Sequence, residues 1–197
     1  GSMFKREWFQ IIDVCPVDIR QSIRYWDLAA TKKTKDNEPC YTAGVLMHKC
    51  KDGMFVIDNI IRKRDAPGAI EKLVVQTANI DGRKPFIIIE QEPGSSGKIV
   101  IDHYIKALAG FKIKGDRPTG SKEDRAVPFA CQAEAGNIKL VKGSWNKDFL
   151  DEIEMFPHGL FKDQTDSASG AFNHLVSRYT RVRASTIGKE KEKGSQI

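Results

Sequence analysis

The stretch "PFIIIE" at residues 85–90 sets Phe86, Ile87, Ile88 and Ile89 in succession and closes on an acid, Glu90. Successive side chains of a strand point to opposite faces, so a strand without alternation must be covered on both. A chain containing it therefore needs a place in the middle of a sheet with helices above and below. At 197 residues it is long enough for one such cored domain and short for two.

The segments around this run supply the layers. In "IRYWDLAA" the two-residue period puts Ile23, Tyr25 and Asp27 on one face of a strand and Trp26 and Leu28 on the other. "CYTAGVLMHK" and "MFVIDNIIRK" follow as strands joined by a tight turn at Asp52-Gly53, completing a three-stranded antiparallel meander. The period then changes: Ile70, Leu73, Val74 and Thr77 share a helical face, with Pro67 near the helix start. After Glu90 a helix is expected from near Ser96, with Ile101, Tyr104, Ile105 and Leu108 on one stripe, and then a short strand in "GFKIKGD". "SKEDRAVPFACQAEAG" predicts a helix bent at Pro128 and ended by Gly136, and "NIKLVKG" a strand. "NKDFLDEIEMF" aligns Phe149, Leu150, Ile153 and Phe156 along a further helix. The last helix is "DSASGAFNHLVSRY", with Ala168, Ala171, Phe172, Leu175, Val176 and Tyr179 in register and Asp163 and Asp166 around its start.

The fold class predicted is α/β: a mixed sheet, an antiparallel three-stranded meander followed by parallel strands, with helices on both faces. One domain is expected over 1–184, with about 3–20 read as a linker-like lead-in and 185–197 as a mobile basic and polar tail. Gly1-Ser2 before Met3 reads as a tag-cleavage scar, placing the start at a boundary in or beside a longer protein. The apolar runs are far too short for a bilayer and no signal segment opens the chain, so a soluble, unsecreted protein without a membrane partner is expected. Cys15, Cys40, Cys50 and Cys131 show no zinc-type spacing with the histidines and read as buried free thiols in a reducing compartment. The net charge of +6 favours a polyanionic partner.

"EQEPGSSGK" at 90–98 has the glycines and lysine of a phosphate loop but not its spacing: two residues separate Gly94 from Gly97, and Ile99 follows Lys98 where a hydroxyl would meet magnesium. No nucleotide site is expected. Glu90 is then the working group, projected from the strand end into the crevice where open α/β sheets hold ligands. Asp27 on the first strand can face it, and Asp163 near the last helix can supply a third oxygen donor. Converging carboxylates repel unless cations neutralise them, and hard divalent ions suit such donors; two together can hydrolyse a phosphodiester. Each acid alone is equally well a cap or a solvated carboxylate; their order along the chain is what favours the site. Glu92 is expected to support Glu90, since Pro93 and Gly94 already turn the chain.

With "YWDLAAT", "FIIIEQEPGSSGK", "TGSKEDRA", "AEAGNIKLVKGSWNKDFLDEIEMFP" and "KDQTDSASGAF" in that order, the chain from about Phe9 to Val176 resembles the nuclease domain of tailed-bacteriophage large terminases, in the RNase H-like, RuvC-like superfamily. The resemblance implies that Asp27, Glu90 and Asp163 bind two divalent ions, Mg2+ or Mn2+, and catalyse endonucleolytic hydrolysis of double-stranded concatemeric DNA with little sequence choice. Lys162 stands where the family has the first acid of a pair, and Asp166 is an accessory metal ligand or a helix cap, the cap being expected. It implies DNA contacts for Lys122 and Arg125, and Lys98 is at most a nearby phosphate contact. Lys32, Lys33 and Lys35, and Arg62, Lys63 and Arg64, can track the DNA backbone or form solvated faces. Implied partners are a terminase ATPase domain in the full-length protein, the small terminase subunit and the portal, in the host-cell cytoplasm. Two alternatives stay open, a RuvC-like resolvase or other RNase H-like nuclease and a non-catalytic DNA-binding module.

Overall fold

The computed structural model describes residues 1–29 and 40–177. Seven strands form one sheet: β1 (Gln10–Ile12), β2 (Ile19–Asp27), β3 (Thr42–Cys50), β4 (Phe55–Lys63), β5 (Phe86–Glu90), β6 (Ile113–Asp116) and β7 (Ile138–Val141), in the order β1-β7-β4-β3-β2-β5-β6. Five helices accompany them: α1 (Pro67–Asp81), α2 (Ser95–Ala107), α3 (Lys122–Glu134), α4 (Asn146–Met155) and α5 over 163–177. β2, β3 and β4 are the antiparallel meander, turned at Gly53 with φ +91°; β5 and β6 add in parallel beside β2.

The unbroken apolar run of β5 has the expected cause. Ile88 enters one core with Tyr25, Val45, Met47 and Ile57, against Phe129 of α3, Phe149 of α4 and Phe172 of α5. Ile87 and Ile89 enter the other with Trp26, against Ile70 and Val74 of α1 and Ile101 and Tyr104 of α2. Adjacent residues of one strand thus feed two cores. β5 is nonetheless second from the sheet edge and not at its middle.

Several expectations need correction. The lead-in is no linker: Phe4 and Phe9 are buried among Phe129, Phe149 and Phe156, and β1 pairs in parallel with β7 at the far edge. β2 begins at Ile19, before the expected Ile23. Ile105 is exposed, leaving Ile101, Tyr104 and Leu108 on the buried stripe of α2. All four cysteines are free, but only Cys50 is buried; Cys40 and Cys131 are exposed. Pro128 lies inside α3, which continues through it to Glu134. Lys32, Lys33, Lys35, Tyr179 and the tail lie outside the described residues, among which no helix is long and apolar enough to cross a membrane.

Small residues on α5 set its distance from the sheet. A Cβ at Gly170 would overlap the Tyr25 ring, and Ser167 donates its hydroxyl to the Ala43 carbonyl at 3.1 Å. The N-terminal half of α5 is thereby pressed against the carboxyl end of β2 and the start of β3. Because the lead-in belongs to the core, Phe9→Ala is expected to destabilise the domain by about 3 kcal/mol. Urea unfolding checks this; an unchanged midpoint would restore the linker reading.

Candidate active site

The parallel register of β2 and β5 pairs Trp26 with Ile89, and one residue further along each strand stand Asp27 and Glu90. β6 repeats the pattern, pairing Asp116 with Glu90. Three strand ends therefore present acids at the carboxyl edge of the sheet, on the face carrying Tyr25 and Ile88. α5 brings Asp163 and Asp166 over that edge; three residues apart on a helix, they share its face. Both are buried, 7% and 3% exposed.

The capping expectation for Asp166 fails, because the start of α5 is capped from another helix. Buried Glu152 of α4 accepts from the Gln164 and Thr165 amides at 2.8 and 2.9 Å. Asp166 thus has its carboxylate free for the cluster, where its partner is the Lys122 ammonium. Asp163 Oδ2 accepts from the Tyr41 amide at 3.2 Å.

Lys122 and Arg125 open α3, whose start is fixed by the Ser121 hydroxyl accepting from the Asp124 amide at 3.0 Å. Both side chains turn toward the acids: Lys122 pairs with Asp166, and Arg125 Nη1 lies 3.5 Å from Glu90 Oε2. Arg125 Nε is buried without an acceptor among the described residues. Lys162 points elsewhere, 3.9 Å from Glu123.

Charge in this site is under tension. Burial, then repulsion from Glu90, Asp166 and Asp163, holds Asp27 well above the usual carboxylate range against the pull of Lys122. Asp166 is raised from 3.8 to about 6 by burial, with Lys122 and Arg125 opposing. Burial also raises Asp163, opposed by the Tyr41 amide, Lys122 and Arg62. Desolvation would lower Lys122, but Asp166, Asp27 and Glu90 outweigh it and hold the ammonium above its ordinary value. An all-oxygen donor set, short of positive charge and already drawing in an ammonium, fits hard divalent cations.

Sequence reasoning missed a second line of groups. Tyr25 donates its hydroxyl to Asp116 Oδ2 at 2.7 Å and approaches Glu90 Oε2 at 3.4 Å; His174 Nε2 lies 3.0 Å from Asp116. Burial pushes Asp116 up, but these His174 and Tyr25 contacts prevail and leave it below the ordinary value. The signal was available: "GFKIKGD" ends its strand in an acid as "FIIIE" does. Glu92, expected beside Glu90, is exposed on the following turn, and Lys98 is exposed on α2. Gly94, at φ +93°, turns the chain, while a Cβ at Gly97 would strike the Glu92 carbonyl. Those glycines serve a tight turn, not a phosphate cradle. Arg62 and Arg64 stack on the Tyr41 ring at 4.1 and 3.9 Å, beside Asp163.

A family model described as the terminase RNase H-like domain matches residues 24–177. No curated protein sequence is significantly similar to the chain. Among solved structures, the large terminase nuclease of thermophilic phage G20c with bound magnesium is 14% identical, with TM-score 0.59 over 88% of this chain and 97% of that one. The human cytomegalovirus terminase nuclease domain, soaked in manganese with an inhibitor bound, is 12% identical, with TM-score 0.61 over 87% and 94%. The Thermus phage P74-26 large terminase nuclease domain is 14% identical, with TM-score 0.59 over 87% and 94%. At these identities the likeness establishes the fold.

The raised Asp166 carboxyl gives a signed pH dependence. Folding lifts it from 3.8 to about 6, so the folded chain holds the proton more tightly. The stability this group contributes is full below about 4 and is lost as pH rises through about 6. In chelator, Asp166→Asn is expected to gain on the parent protein by about 1–3 kcal/mol across that window. Urea unfolding at both ends measures it; a difference independent of pH would refute the assignment.

Proposed function

The chain belongs to the terminase RNase H-like domain family, and from that premise we propose that it is the metal-dependent endonuclease domain of a viral DNA-packaging motor, hydrolysing phosphodiester bonds of double-stranded concatemeric DNA with little sequence choice. One observation carries this reading: Asp27, Glu90, Asp163 and Asp166, from two strands and a helix, are gathered at the carboxyl edge of the sheet, where burial, and after it Glu90, Asp166 and Asp163, hold the Asp27 carboxyl above its ordinary range. Two divalent ions, Mg2+ or Mn2+, held by Asp27, Glu90 and Asp163 with Asp166 as accessory ligand, would supply charge stabilisation of the phosphodiester and activation of water.

The chain's own residues do the rest. Arg125, partly exposed beside Glu90, and Lys122, paired with Asp166 inside the acid cluster, set positive charge where a scissile phosphate would sit. Tyr25, bridging Asp116 and Glu90, holds the Glu90 carboxylate in one orientation, with His174 fixing Asp116 behind it. Lys98, Lys32 and Lys33 are proposed as outer contacts to the DNA backbone. In the full-length protein the partners are an ATPase domain, the small terminase subunit and the portal, in the host cytoplasm.

Plasmid nicking is the test. Cleavage is expected with Mn2+ or Mg2+ and not in chelator, and Asp27→Asn, Glu90→Gln and Asp163→Asn should each lower it by about a hundredfold or more while the proteins stay folded. Undiminished nicking by all three would refute the site. Preference for a four-way junction or an RNA–DNA hybrid over linear duplex would favour the resolvase-like alternative. DNA affinity should fall with added salt, by a log–log slope of about −0.9 per phosphate contact; salt-independent binding would exclude a basic groove.

A further inference from the structure

At the opposite end of β2, on the face away from the acid cluster, Cys15, His48 and Asp58 bring a thiol sulfur, an imidazole nitrogen and a carboxylate oxygen within 4.8 Å of one another. Ser22, the β2 residue paired with His48, lies five positions before Asp27, or about 16 Å along the strand. We propose that these three residues form a second metal site, selective for zinc and separate from the nuclease centre.

Backbone geometry explains how the donors meet. In the β3–β4 ladder Leu46 pairs with Asn59 and Met47 with Ile57, so Asp58 is the extra residue of a β-bulge. Ile57 and Ile60 point into one core, whereas Asn59 bonds Arg24 on the other face. The bulge thus lets Asp58 and Asn59 share that face, and Asp58 Oδ2 comes within 3.0 Å of His48 Nε2. Cys15 reaches the pair from the loop between β1 and β2.

The surroundings complete a ligand environment. Ser22 Oγ lies 2.8 Å from His48 Nδ1 and can accept from Nδ1–H, the tautomer that turns an Nε2 lone pair toward Asp58 and Cys15 once an ion binds. A divalent ion would replace the proton now between Nε2 and Asp58. Thiolate, carboxylate and neutral imidazole together balance a 2+ charge, and the mixed sulfur, nitrogen and oxygen donors favour zinc over magnesium. Burial holds the Cys15 thiol up at about 11, so it is protonated until metal arrives, and binding releases that proton. The trio lines a cavity of about 860 Å³, which gives the ion entry and leaves a fourth position for water. Metal held there would pin the β1–β2 loop to the β3–β4 pair.

Cobalt reports the site directly, because a cobalt–thiolate bond gives a near-ultraviolet charge-transfer band that carboxylates cannot. Titration of an Asp27→Asn/Glu90→Gln protein, whose nuclease centre is disabled, is expected to show one equivalent of Co2+ with this band, displaced by Zn2+. Cys15→Ser should abolish the band and Cys40→Ser should not. Asp58→Asn should weaken zinc at least tenfold against a chromophoric chelator, and Ser22→Ala by about tenfold through the freed imidazole. Cys15→Ser in the otherwise native protein should leave magnesium-dependent nicking unchanged, and circular dichroism should show each variant folded. Absence of the band from the parent, or its survival in Cys15→Ser, would overturn the proposal whatever the outcome of the nuclease assays.

Discussion

Like charge held against like charge at the carboxyl ends of β2 and β5 is the constraint around which this molecule is organised. Four carboxylates, from Asp27, Glu90, Asp163 and Asp166, meet two cations, from Lys122 and Arg125, in a partly desolvated crevice. Left to themselves the acids would separate or take up protons. They stay together because each sits where its backbone is fixed for other reasons: two at the ends of apolar strands, two in the first turns of a helix buried along most of its length. The cores on both faces of the sheet supply the rigidity that the site opposes.

Position in that crevice is controlled through α5. Gly170 and Ser167 allow the helix to lie against Tyr25 and the Ala43 carbonyl, and Glu152 satisfies its first amides from outside. A helix that capped itself with Asp166 would have used that carboxylate on its own backbone. Moving the cap to α4 frees the acid, and it also explains a buried glutamate that the sequence offers no local reason for. Arg62, 3.7 Å from Glu152 and stacked on Tyr41, joins this cap to the segment whose amide holds Asp163.

What the sequence disclosed and what it concealed divide by range. The run 86–90, the hairpin at Gly53, the helix at Pro67 and the acids Asp27, Glu90 and Asp163 are written in local patterns, and the structure brings those acids to one edge. β1 went unread because three residues carry little periodicity and their partner, β7, lies some 130 residues away. Asp116 shows in the sequence as an acid closing a short strand, but its meeting with His174 depends on the β5–β6 register and the packing of α5, which spacing does not reveal. The Cys15, His48 and Asp58 grouping likewise depends on a bulge that shifts one side chain across the sheet, a displacement that motif spacing cannot encode.

By the resemblance drawn from the sequence, Lys162 stands where an acid is expected, and its placement decides how much that matters. A lysine aimed among the acids would neutralise them and compete with any cation. Its ammonium instead faces Glu123 at the rim, while the cation inside the cluster is Lys122, one turn from the Glu90 partner Arg125. The interior thus keeps its excess of negative charge. Asp166, in the first turns of α5, keeps a buried carboxylate among the acids. In the proposed reading the substitution removes one donor and leaves the others in place, and the electrostatic demand for divalent cations survives it.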